Sequence, residues 1–186
     1  MKLVIFFIIS AILLRLLPHV PNFAPITAIA LFGGAYLSRR VALILPLGIM
    51  ILSDYLLLYW TGSGFNFQKI YSPASLLHDT SLFVWGSFFI SSLIGIYLHK
   101  RKSVLNVGFA SIIASLQFFI VTNFGVWAAS TMYPHTAAGL MQSYIMGIPF
   151  FRATILGDLF YTGAFFGSYE LVRIIARKYH LAFASK

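Results

Sequence analysis

The sequence predicts an all-α membrane protein of six transmembrane helices, forming a single domain over residues 1–186, and three observations predict it. First, the chain is 60% hydrophobic and only 9% charged, whereas a soluble domain carries about 25% charged residues. So few charges cannot cover a water-facing surface. Second, apolar runs at about 3–17, 26–38, 41–60, 81–98, 104–131 and 152–176 are separated by breakers or by basic clusters. Third, those clusters alternate along the chain, which gives the spans a direction.

The run 3–17 follows Lys2 and could pass for the charged and apolar regions of a signal peptide. It ends in Arg15-Leu-Leu-Pro-His-Val-Pro without a small-x-small cleavage site, so it is expected to stay as the first helix. Pro18, Pro21 and Pro25 punctuate the connection that follows. The run 26–38 holds only about a dozen apolar residues, against the roughly 20 that a bilayer requires. It is expected to be a short second helix, shielded by protein where it falls short of the lipid.

Runs 41–60 and 81–98 are separated by a loop marked by Gly62, Gly64 and Pro73. His99 to Ser103 is the short link to 104–131. Pro134, Gly147 and Pro149 mark a third long loop before 152–176.

With six crossings, Lys2, Arg39, Arg40, Lys100, Arg101, Lys102, Arg173, Arg177, Lys178 and Lys186 fall on one side. Arg15, Lys69 and Arg152 fall on or near the other. Cytoplasmic loops concentrate Lys and Arg, which puts both termini inside. Dropping the short 26–38 segment would scramble every later loop. The formal charge of +9 therefore reads as topology signal and anionic-lipid contact, and no nucleic-acid partner is expected.

Small residues recur four apart at Ala30/Gly34, Ser87/Ser91/Gly95, Ala110/Ala114, Ser111/Ser115, Gly163/Gly167 and Ala164/Ser168. In lipid, such ridges let helix backbones approach closely.

The chain has four acids. Glu170 lies near the basic end of the last run and is expected to pair with Arg173 or Arg177. At about 1.5 Å per residue, Asp54 lies roughly 20 Å from the inner end of its span and Asn123 roughly 28 Å from that of its own. Asp158 lies about 10 Å below the outer end of the last run. Polar groups therefore gather in the outer half, which suits a cavity opening away from the cytoplasm. Two readings stay open for Asp54 and Asp158: a ligand site, or internal ion pairs such as Arg15–Asp54 and Arg152–Asp158 that lock helices together.

Trp127 lies one turn from Asn123 on roughly the same face, and Tyr161 neighbours Asp158. Apolar walls with a few convergent polar groups are what a small-molecule pocket requires. There is no Cys, and no HExxH, GxSxG or phosphate-cradling glycine loop. No catalytic residue, enzyme activity or bound cofactor is expected.

The stretches RLLPHVPNFAPITAIALFGGAYL, VTNFGVWAASTMYPHTAAGL and IPFFRATILGDLFYTGAFFG resemble a bacterial membrane family related to the S components of energy-coupling-factor vitamin transporters. The resemblance implies a six-helix S-component-like bundle in the bacterial inner membrane that binds and imports a vitamin-sized micronutrient from outside. On that reading Asn123, Trp127, Arg152, Asp158 and Tyr161 line a deep substrate pocket, and Asn22, Phe23, Tyr71, His78 and Tyr133 form its lid. The chain is also similar to solitary cobalamin-transporting members of that class, in which a third-loop cysteine ligates cobalt. Here only His78 could take that place, since imidazole also binds cobalt; the implied substrate is then a cobalt corrinoid. S components that dock on a shared coupling module carry an Ala-x-x-x-Ala ridge on the first helix. FFIISAILLR offers Ser10-Ala11 with no small residue four away, which favours solitary action. The rival expectation is a structural or assembly membrane protein without a small ligand.

Overall fold

The computed structural model describes residues 6, 9, 10, 13, 14, 22–61 and 79–179, and among these all regular structure is helical. The five described residues of the first run are helical. Five helices then follow: α1 (Ile26–Tyr36), α2 (Arg39–Thr61), α3 (Ser81–Leu98), α4 (Val104–Ala129) and α5 (Ala137–Lys178). Two of them, α3 and α4, are long and apolar enough to cross a membrane.

The short run of the sequence is the hub. Helix α1 has only 11 residues, and Ile26 through Ala35 are all buried. It packs against each of the four longer helices. Asn22 precedes it in the left-handed region, at φ 62°, a conformation that Asn tolerates better than most side chains. Pro25 then opens the helix, its carbonyl accepting from the Ile29 N–H at 2.9 Å.

Helix α1 runs parallel to α3, and the contact between them is made of backbone. A Cβ on Gly34 would stand 2.6 Å from the Gly95 carbonyl carbon, the Ile96 nitrogen and the Ser92 oxygen. A Cβ on Gly95 would strike the Leu31 carbonyl oxygen and stand 2.8 Å from the Leu31 Cα. Ala30 and Gly34 of one predicted ridge thus meet Gly95 of the other, as close packing in the absence of bulky side chains requires, while Ser91 accepts from Gln117 of α4. Ala110, Ala114, Ser111 and Ser115 are buried as well. Gly163 and Gly167 differ: they meet nothing within 4 Å, and Ala164 and Ser168 beside them are exposed.

At one end of the bundle the predicted basic clusters come together. The Tyr36 hydroxyl donates to Glu170 at 2.9 Å, and Glu170 pairs with Arg173 at 3.3 Å. His99 Nδ1 lies 2.9 Å from the Ala35 carbonyl, while the Lys102 ammonium sits 4.9 Å over the Tyr36 ring and donates to Ala35 at 3.4 Å. Desolvation lowers the Lys102 pKa from its ordinary value; the carbonyl and the ring replace part of the lost hydration.

Helix α5 departs from expectation. It begins at Ala137, where the Thr136 hydroxyl accepts from the Gly139 N–H at 3.2 Å, and it runs through Gly147 and Pro149 to Lys178. Residues 137–151 were expected in a loop, because Gly and Pro usually punctuate. Within packed membrane-type helices both are tolerated, since neighbouring groups restore the lost hydrogen bonds.

Polarity is inverted relative to a soluble bundle. Ser53, Ser87, Ser91, Ser92, Ser111, Ser115, Thr162 and Asp158 are buried, while Val104, Leu105, Phe109, Leu156, Phe160 and Ile174 are each at least 60% exposed. We expect Gly95→Ala to lower the unfolding midpoint in detergent micelles by the equivalent of about 1–3 kcal/mol, the usual cost of overpacking. Gly163→Ala, with open space around it, should leave the midpoint unchanged or raise it slightly.

Candidate functional site

Half of the buried polar side chains belong to α4 and α5, which run antiparallel and form a seam. Their register is fixed at several points. Asn123 rests its side chain on Gly147, and its backbone carbonyl accepts from Ser143 Oγ at 2.8 Å. Phe119 stacks near Phe151, with ring centroids 4.8 Å apart. Ser115 Oγ donates to Asp158 Oδ2 at 2.7 Å. One turn further toward the basic end, the same register sets Ser111 opposite Thr162.

Asp158 is the centre of this seam. It is 2% exposed, and Thr27 of α1 lies within hydrogen-bonding reach of it beside Ser115. A carboxyl is therefore held by hydroxyls from two other helices where three helices meet. Among the described residues no Lys, Arg or His pairs with it; the ion pair seen there is Glu170–Arg173. Ser111 Oγ and Thr162 Oγ1 are buried without any hydrogen-bond partner.

The side of Asp158 away from the basic end is covered by rings. Phe23 seats its backbone and ring against Gly157 and lies 5.4 Å from Tyr161 and 5.8 Å from Phe160 between centroids. Phe23, expected in a lid, and Asp158 and Tyr161, expected in a deep pocket, thus lie close together.

The remaining candidates are dispersed. Arg152 is exposed; six residues from Asp158 on one helix, it is turned about 120° away from it. Asn123 lies eight residues beyond Ser115 on α4, roughly 12 Å along the axis, and its Nδ2 donates to Phe119 of its own helix at 2.8 Å. Trp127 Nε1 donates to the Pro134 carbonyl at 3.0 Å, its ring 5.9 Å from His135, which staples the α4–α5 turn. Tyr133 is half-buried in that turn, and Asn22 is exposed. Tyr71, His78, Arg15 and the Asp54 side chain lie outside the described residues.

Ser115, Ser111 and Thr27 did not stand out as polar partners in the sequence. The two serines were read as small packing residues, although their four-residue spacing equally marks a line of hydroxyls. Among the described residues no group of three or more His, Cys, Asp and Glu could hold a metal ion. Two apolar surface grooves of about 460–470 Å³ occur, one along α2 at Ile44, Gly48 and Leu52 and one at Phe119, Met141, Tyr144 and Ile148. Neither reaches Asp158.

Fold and site together define an all-helical protein with two membrane-length helices, an apolar exterior and a buried carboxyl–hydroxyl seam. The chain belongs to a family of unknown function, DUF6580, whose family model matches residues 1–181. No curated protein and no solved structure matches it.

Removing the Ser115 hydroxyl leaves the buried carboxyl short of a donor, so Ser115→Ala should lower stability by about 1–3 kcal/mol. Ser92→Ala, which deletes a buried hydroxyl that has no partner, should be neutral or stabilising. Thermal unfolding of the two purified variants checks the contrast.

Proposed function

We propose that the chain is a multi-pass protein of the bacterial inner membrane, with six crossings and both termini inside, that imports a vitamin-sized nutrient in the manner of the S components it resembles. Polar side chains turned inward and apolar ones turned outward support residence in lipid, where burial of serines and exposure of leucines carry no hydrophobic penalty. The gathering of Arg39–Arg40, His99–Lys102 and Glu170–Arg173 at one end supports the direction of the spans.

The observation that carries transport over mere architecture is Asp158. An ionisable group within an apolar bundle is expensive, and such groups are concentrated on substrate and ion pathways. Its placement under Phe23 and Tyr161 supports a guest entering from the outer side, with the aromatics supplying contact area. A corrinoid as the nutrient rests on His78, and solitary action rests on the missing ridge of the first run.

A second reading, an assembly protein without a small ligand, is favoured by the dispersal of Asn123, Arg152 and Asp158 and by the bonding of Asn123 within its own helix. Thermal shifts of the purified protein against a vitamin panel separate the two. Import predicts stabilisation by one compound that is lost in Asp158→Asn. Absence of any shift, with a protein partner retained through purification, would establish the assembly role.

Topology is checked separately. Because the chain has no Cys, single cysteines can be introduced without background. Positions 40, 101 and 177 should react with an impermeant maleimide only in inverted vesicles, and position 135 only in right-side-out ones.

A further inference from the structure

The Asp158 seam, on which the importer reading already rests, also has the chemistry of an ion site. Its carboxyl is removed from water and has no cationic partner among the described residues, so its charged form costs several kcal/mol unless a cation or a proton neutralises it. Around it the chain offers only oxygen: Ser115 Oγ at 2.7 Å, Thr27 within hydrogen-bonding reach, and the unpartnered Ser111 and Thr162 hydroxyls one turn deeper. The last two are 0% and 1% exposed, and each lies one helical turn from its neighbour in the Asp158–Ser115 pair, on the same face of its helix. A hydroxyl can give its proton to a backbone carbonyl and still turn lone pairs to a cation. Ser115 already sits at 3.0 Å from the Ser111 carbonyl.

We propose that Asp158, Ser115, Thr27, Ser111 and Thr162 form a binding site for a hard monovalent cation of the sodium class, where α1, α4 and α5 meet. Charge selects the valence. One carboxylate neutralises one positive charge, whereas a divalent ion would leave a net charge buried in an apolar bundle. Ligand type selects the hardness, since an all-oxygen set lacks the imidazole and thiolate that bind zinc, copper or nickel. The three helices contribute one, two and two of the ligands, so an ion here ties the hub helix to the α4–α5 hairpin. Within the importer reading, on which this last step rests, ion entry would supply the gradient energy that a chain without a nucleotide-binding loop needs.

The test uses the full chain in detergent, with sodium chloride exchanged for choline chloride at constant ionic strength. Sodium should raise the melting temperature saturably, and radioactive sodium should bind stoichiometrically. Thr162→Ala should weaken the apparent sodium affinity roughly tenfold, the scale of one lost polar contact, while its melting temperature in choline stays near wild type. Asp158→Asn should abolish the sodium response. If that variant does not fold, the wild-type titration and Thr162→Ala still decide the matter. A wild-type melting temperature indifferent to sodium overturns the site, as does one that follows pH alone, which would mean that a proton fills the place. Undiminished affinity in both Ser111→Ala and Thr162→Ala overturns the ligand set. The vitamin-panel shifts are read in choline as well, so that loss of the cation site and loss of the nutrient reading give different results.

Discussion

The bundle depends on letting an 11-residue helix stand where no side chain fits between backbones. Gly34 lies against the α3 backbone at Ser92, Gly95 and Ile96, and Gly95 against the α1 backbone at Ala30 and Leu31, each where a Cβ would not fit. That approach buries α1 on every side, and burial is what makes so short an apolar helix tenable. A segment of roughly 16 Å cannot meet lipid along a hydrocarbon core of about 30 Å. Encased by four longer helices, it never has to. The cost of its length is met by neighbours that are themselves long enough to face outward.

From that hub the polar interior follows. Helix α1 brings Thr27 against the α4–α5 seam, and the seam's antiparallel register brings Ser115 to Asp158. On the α3 side Gln117 donates to the Ser87 carbonyl at 3.0 Å and to Ser91 Oγ at 2.9 Å. Helix–helix contacts are thus knitted by short hydrogen bonds where side chains are small, and by rings where they are large. Phe32 illustrates the second mode, with Phe165, Phe166, Tyr36 and Tyr169 all within 6.2 Å between centroids. Hydroxyls and aromatics divide the interior between them, the rings crowding the Tyr36 end of α1 and the hydroxyls the middle.

Much of the helical plan was legible in the sequence, because apolar runs and their breakers are local signals. Ser81–Leu98 has the expected bounds, and Val104–Ala129 ends two residues early. The start of α5 was not legible. Gly147 and Pro149 carry the local signature of a loop, while the reason Gly147 sits in a helix is tertiary: it makes room for Asn123. Asp158 could be singled out as an acid within an apolar run, but its partners come from α1 and α4, and no spacing rule links them. Arg152 shows what helical phase contributes, since six residues turn a side chain about 120° around the helix from Asp158, and Arg152 is exposed. The ridges at Ala30/Gly34 and Ser87/Ser91/Gly95 were correctly legible as contact surfaces. Those at Gly163/Gly167 and Ala164/Ser168 carry the same pattern and meet no neighbour in the described fold.

Helix α5 is continuous for 42 residues, and beyond Glu170, where Tyr36 holds it, two further turns carry Arg173, Arg177 and Lys178. No loop separates those turns from Asp158. The basic tip and the buried carboxyl therefore ride on one unbroken rod, which continues past Asp158 to Ala137.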